Sequence, residues 1–533
     1  MPAHFALVLH AHLPFVRHPE YARSLEERWL YEAIIECYLP LLDVFHRLKR
    51  ERVPFRVTMS ITPPLAAMLK DALLQERAAD HLARLIALAD QEADRVGEDP
   101  AFEPVVAFYR ERLVRMQKLF DAVGRDIVGA YRKLWDEGHL ELIACSATHA
   151  YLPGLLPTRR GIQSQLALGM QLFSSYVGRT ARGMWLPECA YDPAFDHELA
   201  RAGVEFTVVD THAVARATPP APFGPFAPIV SPAGVAFFPR DARSSEQVWS
   251  REIGYPGDPY YRDFYRDIGY DLGEEHLRGE LGPDGRVMTG LKYYRITGRE
   301  VPGNRKAPYE PVVALERTRV HAAHFVRGRL DQVEAAAGPL PVIVAPYDAE
   351  LFGHWWFEGP NFIEAVFREL AWHADRIVPT TLGDHLAEAP LLAQCTPLAS
   401  SWGEGGFGEV WVGARTGHLW RHVHHATKYV TDLVRAHPRL GGHAGLALDQ
   451  MIRELLLLQS SDWPFIIHTQ TTVGYAEARI RAHTHRLRHL GHLATRETLT
   501  KDELAFISNV RKRDTFAANL SSRQLREPLL SID

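Results

Sequence analysis

The sequence contains little cysteine, and its cysteines are far apart. Four are present among 533 residues, namely Cys37, Cys145, Cys189 and Cys395. They form no Cys-x-x-Cys pair, whereas disulfide scaffolds and zinc ribbons depend on closely spaced cysteines. The pattern therefore indicates neither a disulfide framework nor a zinc ribbon.

The sequence also lacks long apolar runs and a strong charge of either sign. No stretch approaches the roughly 20 apolar residues that cross a bilayer, and 60 Lys and Arg residues oppose 65 Asp and Glu residues. The first apolar run ends at His10 with no basic segment before it, which argues against a signal peptide. We therefore expect a cytoplasmic protein with a neutral substrate and with neither nucleic acid nor a membrane as partner. The oligomeric state is left open.

Short apolar segments that are typical of buried strands alternate with helical sequence. They cover residues 5–9, 55–59, 140–145, 183–186, 206–209 and 342–345. A charged helical block at about 65–135 interrupts the alternation and is interpreted as an insertion. The alternation predicts an α/β fold with a parallel sheet, most simply a closed or nearly closed β/α barrel.

The composition changes along the chain and suggests three parts. Residues 1–390 would form the barrel, with loops at about 213–300 that cover its mouth. Residues 391–490 are mainly helical and would contribute to the same cleft. Residues 491–533 are predicted to be a weakly packed extension.

Polar side chains follow almost every predicted strand. In parallel barrels the carboxyl ends of the strands meet at one mouth, where catalytic residues gather. We therefore expect these side chains to lie close together. They are His10, His12, Thr148, His149, Glu188, Asp210, His212 and Asp348.

Glu188 and Asp348 are the two carboxylates with the most aromatic surroundings. Glu188 lies in Trp-Leu-Pro-Glu-Cys-Ala-Tyr, and Asp348 begins Asp-Ala-Glu-Leu-Phe-Gly-His-Trp-Trp. Glycoside chemistry needs such a pair, one ionised as nucleophile or base and one protonated as acid. Burying the Glu188 carboxylate among aromatic residues costs free energy, so a functional role is favoured over a purely structural one. Glu350 competes with Asp348, which is favoured because it lies nearer the strand end.

His10 and His12 allow two other interpretations. Two residues apart at a strand end, they point to the same side and could simply fill a polar barrel mouth. They could also bind a metal with His149, His212 or Asp348, as in metal-dependent amidohydrolases. The surroundings of Glu188 favour glycoside chemistry over a metal site.

Several tryptophans are candidates for stacking on sugar rings. Trp402 and Trp411 lie in a Gly-rich loop that offers little core, and Asp462 and Trp463 follow an apolar helix. Tryptophans taken singly are more often core residues. Asp462 could equally terminate its helix.

Five stretches together resemble glycoside hydrolase family 57, and within it the 1,4-α-glucan branching enzymes. They are His-Ala-His-Leu-Pro-Phe from His10, Ala-Thr-His-Ala-Tyr from Ala147, the two stretches around Glu188 and Asp348, and Ser-Trp-Gly-Glu-Gly-Gly from Ser401 with Ser-Asp-Trp-Pro-Phe from Ser461.

The resemblance implies a (β/α)7 barrel with a helical insertion and a C-terminal helical domain. It implies a retaining mechanism with Glu188 as nucleophile and Asp348 as acid/base, an α-1,4-glucan as substrate, a role in glycogen biosynthesis, and no metal or other cofactor. The substrate-binding residues would come from the candidates His10, His12, His149, Trp185, Tyr191, Arg262, Trp355, Trp402, Trp411, Asp462 and Trp463.

The sequence departs from that family pattern in one loop. Branching members carry a mobile loop with a tyrosine over the cleft, whereas the interval from His212 to Trp249 contains no tyrosine. An α-glucan hydrolase with weak transfer is therefore the close alternative. A metal-dependent barrel hydrolase and a non-catalytic glucan-binding protein are more distant ones.

Overall fold

The structure, a computed structural model, describes residues 1–250, 253–282, 285–389 and 392–530. The predicted boundary between residues 390 and 391 lies outside these residues. The strands are β1 Ala3–Ala11, β2 Val57–Ile61, β3 Leu140–Cys145, β4 Met184–Trp185, β5 Phe206–Val209, β6 Ile229–Val230, β7 Ala236–Pro239, β8 Val342–Asp348, β9 Ile377–Pro379 and β10 Ala393–Gln394.

The α-helices are α1 Leu25–Ala33, α2 Leu39–Arg50, α3 Pro63–Leu69, α4 Ala72–Val96, α5 Glu103–Ala122, α6 Ile127–Asp136, α7 Arg159–Val177, α8 Asp196–Arg201, α9 Thr211–Ala215, α10 Ala242–Trp249, α11 Ile268–Asp271, α12 Pro311–Ala335, α13 Gly359–Trp372, α14 Leu382–Glu388, α15 Gly417–Ala436, α16 Gly442–Leu458, α17 Asp462–Thr469, α18 Val473–Ala494, α19 Lys501–Arg513 and α20 Ser522–Leu530. A π-helical turn, Ile34–Tyr38, joins α1 to α2.

In the part of the chain that the structure describes, seven parallel strands form the barrel. Strands β8, β1, β2, β3 and β4 are hydrogen-bonded in that order, and β5 pairs with β7. A parallel bridge between Gly183 and Phe206 joins β4 to β5, and the N–H of Asp241 donates to the carbonyl of Val344 at 2.8 Å, which joins the end of β7 to β8. The predicted barrel with a C-terminal helical part is confirmed.

Apolar side chains fill the inside of the barrel, as the pattern of apolar strands requires. Val8, Ile143, Phe206, Phe238 and Val344 are at most 1% exposed and belong to one cluster. Every residue of β1 is buried. This packing holds the strand ends, and the side chains that follow them, in fixed positions.

The sequence did not indicate strand β7. It lies within a segment rich in Pro and Gly, is four residues long and ends at Pro239, which has no N–H to donate in a sheet. Its residues Phe237 and Phe238 are nonetheless fully buried. The strand is stabilised by parallel pairing with β5 and by an antiparallel pairing with β6, neither of which a local pattern reveals.

Helices α3 to α6 occupy the segment expected to be a helical insertion. Asp71 accepts from the N–H groups of Leu73 and Leu74, and Asp126 from that of Gly129, so carboxylates cap α4 and α6. Helices α4 and α5 pack on each other, while α6 packs against β3. The insertion is thus partly integrated into the barrel wall.

The helical part after residue 391 is arranged around α16. This helix contacts α15, α18, α19 and α20, and from Ala447 to Leu458 each of its residues is buried. Ser460 forms an antiparallel bridge with Ala150, directly after the third barrel strand. The end of α16 is therefore fixed against the mouth of the barrel.

The prediction of a weakly packed extension is wrong for residues 491–530. Phe516, Leu525 and Leu529 are fully buried, and Arg526 pairs with Asp449 on α16 at 2.7 Å. Helix α20 also packs against α7 of the barrel. Helices α19 and α20 both contact α16, so these side chains are buried by tertiary packing that the local sequence pattern does not reveal.

Among the described residues, the helices are too short or too polar to qualify as bilayer-spanning segments.

Candidate active site

The mouth of the barrel brings together side chains from the ends of several strands. His10 on β1 lies opposite Asp348 on β8 and Ser60 on β2 in the sheet register. Glu188 follows β4 after three residues, and His149 follows β3 after four. Both predicted carboxylates therefore lie at the same end of the sheet as the histidines.

The backbone at Glu188 has an uncommon conformation. Glu188 has φ 66° and Cys189 has φ 49°, both in the left-handed region that residues with a side chain rarely adopt. The turn is held because the N–H of Trp402 donates to the Glu188 carbonyl at 3.0 Å and that of Cys189 to the Leu186 carbonyl at 2.9 Å. Strain held in this way is common where a side chain must be aimed at a substrate.

Two hydrogen-bond donors meet the Glu188 carboxylate. Nε1 of Trp402 donates to Oε2 at 3.0 Å, and the hydroxyl of Ser461 donates to Oε1 at 2.9 Å. Burial raises the pKa of Glu188 to about 7, and these two donors oppose that rise. Each oxygen thus has one donor that favours the ionised form.

Asp348 has a different environment. Burial raises the pKa of Asp348 well above its usual range, and the neighbouring charges of Glu350 and Glu188 raise it further. All three of these influences favour the neutral acid over the carboxylate. Of the two carboxyl groups, Glu188 is therefore the one more easily ionised and Asp348 the one more easily kept protonated, which is the division of roles that a glycosidase pair requires.

His12 and Asp462 form an ion pair across the cleft. Nε2 of His12 lies 3.2 Å from both carboxylate oxygens of Asp462, and Nδ1 lies 2.9 Å from the Thr62 hydroxyl. Burial alone would lower the pKa of His12, but the carboxylates of Asp462, Glu350 and Glu188 together outweigh burial and raise the pKa. Burial would likewise raise the pKa of Asp462, and His12 lowers it. The pair joins the end of β1 to the start of α17.

His10 and His149 are hydrogen-bonded to each other. Their Nε2 atoms are 2.9 Å apart, and His10 stacks on Trp185 with ring centroids 4.6 Å apart. Burial lowers the pKa of both imidazoles well below its usual range. Two neutral histidines therefore lie beside the charged pair of His12 and Asp462.

Four of the predicted substrate-binding side chains lie behind the cleft surface. Trp411 is 1% exposed and stacks on Tyr151, and Trp463 is 2% exposed with its Nε1 donating to the Leu457 carbonyl. The expectation that the Gly-rich loop offers Trp411 little core is wrong, because Trp411 packs on Tyr151. The loop itself lies close to the same ring. A Cβ at Gly408 would lie 1.8 Å from the Tyr151 hydroxyl oxygen.

The other two are Tyr191 and Arg262. Tyr191 packs edge-to-face on Phe237 with centroids 4.6 Å apart. Nη1 of Arg262 lies 3.2 Å from Oε1 of Glu36, and the two side chains form a buried ion pair. A buried cation requires such a counter-ion, and no local pattern indicated that Glu36 would provide it.

Trp185 and Trp355 have different positions. Trp185 is fully buried, and its ring packs against those of His10 and Trp402. Trp355 is 57% exposed and stacks on Phe264 with ring centroids 4.6 Å apart. Its backbone N–H donates to the Glu350 carbonyl at 3.2 Å, so it lies on the loop that follows Asp348.

The sequence did not indicate that Ser461 contacts Glu188 or that Glu350 makes hydrogen bonds of its own at the site. Ser461 donates to Glu188, and Glu350 accepts from the backbone N–H of His12 at 3.1 Å and from the Tyr38 hydroxyl at 2.5 Å. The sequence pattern presents Glu350 only as a rival of Asp348. The one available signal for Ser461 was its place immediately before Asp462.

The histidines do not have the arrangement that the metal-hydrolase alternative needs. Nε2 of His10 and of His149 face each other, while Nδ1 of His149 is 2.7 Å from the Ser461 hydroxyl. His212 contacts Asp210 and the Gly406 carbonyl instead. Within the described residues, ligand atoms with metal-site spacing occur at Glu454, His483 and Asp514, in the helical part.

A barrel mouth that holds two carboxyl groups in unlike surroundings is an arrangement that glycoside chemistry can use. The family model "Glycosyl hydrolase family 57" matches residues 6–387, and the model "1,4-alpha-glucan branching enzyme, C-terminal" matches residues 422–523. The chain belongs to glycoside hydrolase family 57.

Its relatives carry two kinds of name. A 1,4-alpha-glucan branching enzyme of Thermococcus kodakarensis is 32% identical, over 91% of this chain and 73% of that protein. The crystal structure of a GH57-type branching enzyme from Pyrococcus horikoshii has a TM-score of 0.87 and 30% identity, over 100% and 98% of the two chains. That of the alpha-amylase AmyC from Thermotoga maritima has a TM-score of 0.91 and 37% identity, over 99% of each chain.

Proposed function

We propose that this protein is a 1,4-α-glucan branching enzyme. It cleaves an α-1,4 linkage and transfers the released chain to a 6-hydroxyl, which makes an α-1,6 branch. The unlike environments of Glu188 and Asp348 carry the chemical part of the proposal, because two donors favour the ionised form of Glu188 while burial and two neighbouring carboxylates favour the neutral form of Asp348. The branching relatives and the matched C-terminal model support the transfer part.

The reaction has two displacements. Glu188 attacks the anomeric carbon while Asp348 gives its proton to the departing oxygen, so a covalent glycosyl-enzyme forms. Asp348, now ionised, removes the proton from the 6-hydroxyl of the acceptor, which attacks the same carbon. The hydrogen bonds from Trp402 and Ser461 weaken as the carboxylate charge of Glu188 is lost to the covalent bond.

An α-glucan hydrolase is the second candidate, and two observations favour it. One similar solved structure is named an alpha-amylase, and the interval from His212 to Trp249 contains no tyrosine. In the structure this interval forms α9, β6, β7 and α10. Water then takes the place of the 6-hydroxyl, since the choice of acceptor depends on the surroundings of the carboxylates rather than on the pair itself.

Incubation with amylose separates the two candidates. We expect new α-1,6 branch points, counted after debranching, to exceed the new reducing ends severalfold. Reducing ends without branch points would replace the branching proposal with the hydrolase, and neither product would overturn both. A cytoplasmic location and a role in glycogen biosynthesis remain predictions.

Trp355 is expected to bind the polymer outside the catalytic centre. It presents a largely exposed ring on the loop after Asp348, stacked on Phe264, beside Tyr265, which is 75% exposed. Such faces suit the apolar faces of sugar rings. Trp355→Ala should weaken retention by amylose in affinity electrophoresis about tenfold, the equivalent of one lost stacking contact.

Trp372→Ala is the matched control, because Trp372 is 82% exposed at the end of α13. Equal mobility of the Trp355 and Trp372 variants would contradict a binding role for Trp355.

A further inference from the structure

A chain of hydrogen bonds leads from the nucleophile into the protein. Ser461 donates to Oε1 of Glu188 at 2.9 Å, Nδ1 of His149 lies 2.7 Å from the Ser461 hydroxyl, and Nε2 of His149 lies 2.9 Å from Nε2 of His10. Nδ1 of His10 is buried and has no hydrogen-bond partner among the described residues. The chain thus has two ends, one at Glu188 and one at His10.

The ionised form of Glu188 sets the direction of every bond in this chain. A carboxylate only accepts, so the single hydroxyl proton of Ser461 goes to Glu188. Nδ1 of His149 must then donate to Ser461, which leaves its Nε2 as an acceptor in the neutral ring. Nε2 of His10 therefore donates to His149, and Nδ1 of His10 is left as an acceptor without a partner among the described residues.

Donation in the reverse direction along these hydrogen bonds has a higher free energy. If Glu188 were protonated and donated to Ser461, each proton in the chain would shift and Nδ1 of His10 would become a buried N–H without an acceptor. Burial keeps both imidazoles neutral, so no extra proton is available to relieve this. The hydrogen bonds from Glu188 to His10 therefore favour the ionised form of the nucleophile.

Ser461 belongs to the helical part and not to the barrel. It lies immediately before α17, and its N–H donates to the His149 carbonyl at 2.9 Å. This second bond fixes the position of the hydroxyl relative to the loop after β3. The barrel supplies Glu188 and the helical part supplies the donor that acts on it.

We infer that Ser461 is a positioning residue that, through its bonds to Glu188 and His149, orients the nucleophile and holds it ionised, so that the helical part controls the nucleophile of the barrel. This inference rests on the proposed retaining mechanism. Besides His149, the charged or titratable groups that interact with Glu188 include His12, Asp462, Asp348, Tyr151, Cys145 and Cys189. Asp462 opposes ionisation of Glu188, and His12 favours it.

Ser461→Ala tests the inference through the pH dependence of kcat/KM, measured with α-maltosyl fluoride. The acid limb reports protonation of the nucleophile in the free enzyme. Loss of a donor that lowers the pKa of Glu188 should move this limb to higher pH by about one unit and lower kcat/KM at pH 6 by roughly tenfold or more.

Three further variants separate positioning from a purely structural effect. Ser461→Thr keeps the hydroxyl and should restore the wild-type limb, while Ser461→Cys, with a weaker donor, should give an intermediate shift. Ser164→Ala, at a buried serine on α7, is the control and should leave the limb in place. Thermal unfolding confirms that each variant is folded.

An unchanged acid limb in folded Ser461→Ala would overturn the inference, whatever its rate, as would failure of the threonine variant to restore it. The proposed function fails separately, if the wild-type protein neither turns over α-maltosyl fluoride nor modifies amylose.

Discussion

Glu188→Gln is expected to abolish turnover, with a loss in kcat/KM of roughly 10⁴-fold or more, because the amide cannot form the covalent intermediate. Asp348→Asn should cost about 10²- to 10⁴-fold, the range for loss of a general acid. The loss for Asp348→Asn should be smaller with α-maltosyl fluoride than with amylose, since fluoride leaves without a proton. Initial rates with both substrates provide the measurement.

Azide distinguishes the two roles further. With Asp348→Ala, azide should attack the glycosyl-enzyme and yield an α-glycosyl azide, with retained configuration. With Glu188→Ala it should occupy the place of the nucleophile and yield the β-anomer from α-maltosyl fluoride. Exchange of the two outcomes would reverse the assignment. Asp384→Asn, whose side chain is 56% exposed on α14, is the control and should remain fully active.

Asp462→Asn is expected to lower kcat by about 10²-fold, the effect of removing one partner of a close buried ion pair. The Asp462 carboxylate raises the pKa of His12, so His12 is protonated to higher pH than a buried histidine otherwise would be. Without that charge the pKa of His12 falls, and near neutral pH the imidazole is uncharged and no longer attracts the side chain at position 462.

The pH profile and a control variant check this explanation. The ratio of wild-type to Asp462→Asn activity, measured at the same pH, should fall as the pH is lowered, because His12 in the variant regains its proton. Asp432→Asn, 57% exposed on α15, should behave as wild type. A loss that is the same at every pH would contradict the role given to the ion pair.

The sequence predicted what local patterns encode. The strands at 140–145 and 206–209 have the predicted bounds, because short buried apolar segments between helices have few other interpretations. Glu188 and Asp348 are predicted as the catalytic pair because they follow strands among aromatic residues, and this assignment stays a prediction. Strand β7 was missed because its pairing with β5 and β6 is not visible in its Pro-rich surroundings.

At the site, the sequence did not show which way the side chains point or which distant residues they contact. The donor from Ser461 to Glu188 joins residues 273 positions apart, and the partner of Arg262 is Glu36, 226 positions away. Tryptophan positions in the sequence also do not tell an exposed ring, such as Trp355, from a buried one, such as Trp411. These contacts depend on how distant segments pack together, and a single sequence carries no pattern for them.

Trapping of the covalent intermediate tests the central claim, that Glu188 is the nucleophile, most directly. A 5-fluoro-α-maltosyl fluoride should form the glycosyl-enzyme quickly and release it slowly, so that the labelled protein accumulates. Peptide mass spectrometry should then place the added sugar on Glu188, and the label should be absent from Glu188→Gln. A label on another residue, or turnover of the reagent with no covalent adduct at any time, would contradict this role for Glu188.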